Sequence, residues 1–179
     1  MRTLMLLILV AGFAKAQTVY SSTKAHVKFF SESPLEDIEA DNEKARSLIS
    51  EKDSAIVVSI PNIAFKFEKP LMEEHFHENY METEDFPKSM FKGKIVSGMN
   101  FQQDGTYEVQ VEGQLTIHGV TLDRQLTATI VKAGDVLTVK GSFLVRIEEH
   151  DVKVPSMYID NIAEEVTVFV DFTYEPYKK

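Results

Sequence analysis

The feature that most constrains this chain is an alternation of apolar and polar residues that fills its second half. In Tyr107-Glu108-Val109-Gln110-Val111-Glu112 and then Leu115-Thr116-Ile117, odd positions are apolar and even ones polar. Successive side chains of a strand point to opposite faces, so a period of two predicts strands with one buried and one wet face. Residues 124–131 set Leu126, Ala128 and Ile130 on one side, and residues 137–145 do the same with Leu137, Val139, Phe143 and Val145. Residues 164–174 close the pattern with Val166, Val168, Val170, Phe172 and Tyr174. Turn-forming residues separate these runs at Asp104-Gly105, His118-Gly119, Gly134-Asp135 and Asn161. Strands joined by tight turns predict an antiparallel meander, closed as a barrel or stacked as a sandwich.

The first half is less regular. Residues 19–22, 25–31 and 55–61 read as strands, and 90–101 as a long one with Phe91, Ile95, Met99 and Phe101 on one face. Two helical pieces are predicted between them. Residues 42–49 carry helix formers behind Asp41 as N-cap, and residues 70–80 begin with Pro70 in a first-turn position. An antiparallel barrel of about eight strands alternates lumen and solvent faces, and its lumen either packs shut or holds one small ligand. Periodicity does not separate these two outcomes.

The N-terminus predicts export. Arg2 precedes the apolar run Leu4-Met5-Leu6-Leu7-Ile8-Leu9-Val10, and Ala14-Lys15-Ala16 places small residues at −3 and −1 before Gln17. This is the pattern of a secretory signal peptide over residues 1–16, too short for a permanent membrane span. The expected mature domain, residues 17–179, loses Arg2 and Lys15, which takes the net charge from −9 to −11. Such an acidic chain repels phosphate backbones, so no nucleic-acid partner is expected. Anionic headgroups repel it as well, which leaves at most transient membrane contact. With no cysteine in the sequence, thiol catalysis, Cys–zinc sites and disulfides are excluded, and the core alone must hold the fold.

Two segments resemble the YceI-like family, whose members share a lipocalin-like barrel. One is Leu115-Thr116-Ile117-His118-Gly119-Val120-Thr121; the other runs from Leu71–Phe76 through Glu84-Asp85-Phe86-Pro87 to Phe91-Lys92-Gly93-Lys94-Ile95. Their order and spacing extend the resemblance over about residues 18–174. It departs where family members carry a glycine-punctuated V-x-G-x-F stretch and this chain reads His26-Val27-Lys28-Phe29-Phe30, and a subgroup with its own ligand preference is the expectation. The resemblance implies an all-β, antiparallel lipocalin-like barrel with one or two short helices. It also implies an exported, periplasmic or extracellular protein that binds an isoprenoid or other long-chain amphiphile in an elongated apolar tunnel.

On that reading the lumen-facing strand residues Tyr107, Val109, Val111, Leu115, Ile117, Leu126, Phe143, Val145, Val168, Val170 and Phe172 line the tunnel. Phe67, Leu71, Met72, Phe76, Phe86 and Phe91 come from the aromatic and methionine cluster around the second helical piece. That cluster has two readings, a helix packed onto the barrel end or an adaptable tunnel mouth. His75 and His77, with His118, raise a metal-enzyme alternative. Helical positions i and i+2 lie about 200° apart and do not grip one ion, which favours a solvated helix face. His26 and His150 suggest no role. No nucleophile motif or phosphate loop occurs, and the carboxylates lie on outward strand positions such as Glu108 and Glu112. No catalytic residue, metal or cofactor is expected. A solid-cored structural or interaction module is the other alternative, and association as a homodimer stays open.

Overall fold

The computed structural model describes residues 18–32, 37–153 and 164–178. Within it the hairpins of the second half form as the alternation requires. β7 (Gly105–Ile117) pairs with β8 (Val120–Ala133) from Gly105↔Lys132 to Ile117↔Val120. Their connection is the two residues His118 and Gly119, with φ of 48° and 76°, the left-handed pair that matches strand twist in a tight hairpin. β8 continues through Gly134-Asp135 into β9 (Val136–Arg146), and β9 pairs with β10 (Glu165–Pro176). The predicted turn at Asn161 and the segment expected to be a signal peptide lie outside the described residues.

In the first half, β1 (Val19–Ser31) is one strand where two runs were expected, and a register shift between Ser22 and Lys24 accounts for the break in its alternation. β4 (Ala55–Pro61) is as expected. The helix expected over residues 42–49 does not form. Asn42 ends β2 (Ile38–Asn42), residues 46–49 fall in β3 (Arg46–Ser50), and 43–45 link the two, which pair end to end along β1. Tertiary pairing overrides helix propensity here. Ala45, Ser47 and Ile49 alternate into the core, and the Asn42 side chain accepts from the Lys44 amide at 2.9 Å and donates to the Pro61 carbonyl at 2.9 Å. The expected strand 90–101 also ends early: β6 (Lys88–Ile95) gives way to a loop in which the Gln102 amide donates to Asn100 Oδ1 at 2.9 Å. Phe101 still reaches the core from that loop and stacks on Tyr20, with ring centroids 6.2 Å apart.

β5 (Lys66–Phe67) adds a short edge to β2. The helix α1 (Pro70–His75) follows it and widens into one π turn over Phe76–Tyr80. Counting β2 and β3 as one interrupted strand, the ladder runs β1–β3–β4–β6–β7–β8–β9–β10 and returns to β1. It is a closed, antiparallel, eight-stranded lipocalin-like barrel with one short helix.

Two levels of this barrel differ. Toward one end the lumen is solid: Tyr20, Ile49, Phe101, Val109, Ile130, Leu137, Phe172 and Tyr174 are buried there. Toward the other end β8 and β9 pair only from Ala128↔Gly141 to Ala133↔Val136, and beyond Gly141 the ladder between them stops. A 3₁₀ turn (Glu148–His150) bridges the parted strands, through Arg124 to Glu149 and through His150 Nδ1 to the Val120 carbonyl at 3.2 Å. The helix α1 lies over this same end, between the strand ends that carry Ser31, Pro61, Lys88 and Ile117.

Candidate functional site

The half of the barrel beneath α1 holds a cavity of about 360 Å³ that is open to the outside. Its walls come from every side except β8: Val27 and Phe29 of β1, Ile60 of β4, Leu115 and Ile117 of β7, Phe143 and Val145 of β9, Val166 and Val168 of β10. Strand alternation brings these residues inward, since Phe29 stands opposite Val168 and Val168 opposite Phe143. The roof is aromatic. Phe76 stacks on Phe29 with centroids 5.5 Å apart and packs on Phe65 at 5.5 Å and Phe67 at 5.0 Å. Such clustered rings exchange dispersion and edge-to-face contacts beyond simple area burial. They seat the helix on the barrel end, and Phe67, Met72 and Phe76 line the cavity.

The wall also carries polar side chains. Ser89 Oγ donates to Asn62 Oδ1 at 2.9 Å, and Asn62 Nδ2 donates to the Phe86 carbonyl at 2.7 Å, so these two are satisfied. Ser31 Oγ and His150 Nε2 are buried and have no partner among the described residues. Burial lowers the His150 pKa, and its contact with the Val120 carbonyl opposes that shift. No Lys, Arg, Asp or Glu lines the cavity among the described residues.

Of the residues expected to line a tunnel, the structure brings Phe67, Met72, Phe76, Leu115, Ile117, Phe143, Val145 and Val168 to the cavity. The rest lie elsewhere. Phe91, Val109, Val111 and Phe172 are buried in the core, and Tyr107, Leu126 and Val170 pack against it. Those seven share the inward face of their strands but lie away from the cavity, where side chains meet across the lumen. The expected passage is therefore a cavity in one half of the barrel. Leu71 is 60% exposed, because its neighbour Met72 takes the inward side of α1. Phe86 covers the β7–β8 turn from outside, its ring 4.1 Å from that of His118.

Several wall residues had no place in the sequence reading. Phe29 and Val27 were findable, since they alternate on β1 as the other lumen residues do. Ser31, Asn62, Ser89 and His150 were not, because polar residues become buried only through the closure of the barrel. His150 in particular is 0% exposed, where its sequence surroundings suggested nothing. The three histidines of the metal alternative do not converge: His75 faces the cavity, His77 is absent from its wall, and His118 Nε2 sits 2.9 Å from Glu82 Oε2. Among the described residues no group of three His, Cys, Asp or Glu is placed to hold a metal ion.

Solved structures share this architecture. A polyisoprenoid binding domain from Saccharophagus degradans, implicated in plant cell wall breakdown, superposes with a TM-score of 0.77 at 14% identity, over 89% of this chain and 99% of that one. BcnA of Burkholderia cenocepacia superposes with a TM-score of 0.73 at 15% identity, over 83% and 95%. A YceI protein of Campylobacter jejuni gives a TM-score of 0.54 at 15% identity, over 70% and 73%. These similarities speak to the fold. No curated protein matches the sequence. The YceI-like domain family matches residues 11–174. Both segments that carried the resemblance meet at one corner of the barrel, His118 against Glu82 and Phe86, and the chain belongs to the YceI-like family.

Proposed function

We propose that this protein is an exported binding protein, not an enzyme, that carries or sequesters an isoprenoid-like or other long-chain amphiphile. The observation that carries the reading is the cavity of about 360 Å³, walled by aliphatic and aromatic side chains and roofed by an aromatic-anchored helix. Its volume lies toward the lower end of the roughly 300–1,000 Å³ common for ligand pockets. A similar fold in a polyisoprenoid binding domain supports the ligand class.

The energetics suit a carrier. Each buried methylene contributes about 0.8 kcal/mol, so ten carbons within the cavity contribute roughly 8 kcal/mol before ordering costs. A bilayer offers the same tail nearly the same stabilisation. The free energy of transfer in either direction is then close to zero, as exchange requires. The solid half of the barrel bounds how much chain enters.

The protein is purified without detergent, extracted with organic solvent, and the extract analysed by mass spectrometry. A stoichiometric long-chain lipid, and saturable uptake of a fluorescent long-chain probe that Phe143→Trp blocks by filling the cavity, are the expected results. No extracted lipid together with no uptake would overturn the proposal. Export is tested separately: the secreted protein is expected to begin at Gln17 on N-terminal sequencing, and an uncleaved, retained chain would contradict it.

A further inference from the structure

Buried polar atoms are nearly always hydrogen-bonded, so an unpartnered one in a cavity wall asks for a partner inside the cavity. His150 Nε2 is such an atom. Its chemistry is set by the opposite side of the ring. Nδ1 lies 3.2 Å from the Val120 carbonyl, and a carbonyl oxygen only accepts, so Nδ1 carries the proton. Burial holds the ring's pKa down, and the Arg124 cation pushes the same way, against the Val120 carbonyl, Glu149 and the Ile117 carbonyl. At neutral pH the ring is uncharged, and Nε2 presents a bare lone pair. It can accept a hydrogen bond and cannot donate one.

We infer that His150 Nε2 accepts a hydrogen bond from the polar end of the bound molecule, so that the cavity selects long chains ending in a neutral proton donor. A primary alcohol, a primary amide or a protonated carboxylic acid has that chemistry. Ser31 Oγ, the other buried unpartnered polar atom of the wall among the described residues, can accept or donate and so complements any of the three. A chain ending in an ether or ester offers His150 only acceptors. A charged phosphate or carboxylate meets no Lys or Arg in the described wall, and burying an unpaired charge is costly. Asn62 and Ser89 do not compete for the role, since each already has a partner. This inference rests on the cavity's being a lipid site.

The test uses the full mature chain and a fluorescent long-chain probe, displaced by hexadecanol or by hexadecyl methyl ether. The alcohol is expected to compete at a concentration roughly tenfold lower than the ether. His150→Phe is expected to bring the alcohol to the ether's value and leave the ether unchanged. Should that variant fail to fold, nitrogen-15 NMR of the unaltered protein decides: the His150 Nε2 resonance is expected to start at the position of an unprotonated nitrogen and to move with the alcohol only. Equal competition by alcohol and ether, or an unmoved Nε2 resonance, overturns the inference and leaves the lipid-binding role standing. Failure of both to compete, with no probe uptake, overturns both.

Discussion

The hydroxyl of Tyr174 donates to Ser47 Oγ at 2.8 Å inside the solid half of the barrel, joining residues 127 positions apart in sequence. Ser47 in turn donates to the Val57 carbonyl at 2.9 Å, so one short chain of hydrogen bonds links β10, β3 and β4 through the lumen. Tyr174 is 0% exposed, and burial raises its hydroxyl pKa far above the ordinary value of about 10. The folded protein keeps this proton at pH values where the unfolded chain gives it up. The contribution to stability is therefore complete below about pH 10 and is lost as pH rises further. In an alkaline titration followed by tyrosinate absorbance, Tyr174 is expected to ionise only as the barrel unfolds. Tyr174→Phe is expected to remove that late component and to cost about 1 kcal/mol, seen as a fall of about 2–4 °C in Tm. Early ionisation of all tyrosines with the fold intact would contradict this.

One buried histidine, His150, and one half-buried, His77, set the acid side. Burial lowers the pKa of His77 and of His150, and the carboxylate of Glu73 opposes the shift at His77. Below the ordinary histidine value of about 6.5 the unfolded chain takes up protons that the folded chain refuses. Stability is present in full above that pH and declines as pH falls beneath it. Tm is expected to drop by a few degrees between pH 7 and pH 5, before most carboxylates titrate, and His77→Phe is expected to flatten the profile. A Tm that rises over this interval would be incompatible with neutral buried rings.

Gly93 and Gly113 face each other across β6 and β7, where the strands approach too closely for a side chain. A Cβ on Gly113 would lie 2.4 Å from the Lys92 carbonyl oxygen and 2.5 Å from the Gly93 Cα, both backbone atoms that cannot rotate away. Gly113→Ala is expected to destabilise the barrel by about 1–3 kcal/mol, the range for overpacked sites. Gly98→Ala, with no atom within 4 Å of the added methyl, serves as the neutral control. Chemical denaturation of both variants decides, and equal stabilities would refute the close approach.

The β7–β8 turn is tied to the loop after the helix. His118 Nε2 meets Glu82 Oε2 at 2.9 Å, its ring lies against Phe86, and a Cβ on Gly119 would come within 2.7 Å of the Phe86 ring. His118 adopts a φ of 48°, which asparagine tolerates well, so His118→Asn removes the tie without straining the turn. Faster amide exchange in residues 81–87 and a several-fold faster release of a bound long-chain probe are expected, with Tm changed by no more than a few degrees. Unchanged exchange and release would show that the tie does not restrain the mouth.

The strands of the second half were legible because their information is local. Alternation sets which face is wet, and Gly or Asp at fixed offsets sets the turns, so β7 through β10 and their inward sets could be read residue by residue. Pro70 likewise marked the start of the helix. Residues 42–49 read as helix for a related reason: Asn42-Glu43-Lys44-Ala45 prefers a helix in isolation, and only the pairing of the flanking strands, β2 with β1 and β3 with β1 and β4, draws the segment out. What tertiary structure alone decided is where the lumen is filled. Val109 and Val145 carry the same inward alternation and are both buried, yet Val145 lines the cavity and Val109 does not. The difference lies in how far apart β8 and β9 stand and in which side chains reach across, a sum over residues distant in sequence. His150 is the sharpest case: an ordinary polar residue in a charged stretch is fully buried where the 3₁₀ turn bridges the parted strands, its Nδ1 meeting the Val120 carbonyl at 3.2 Å.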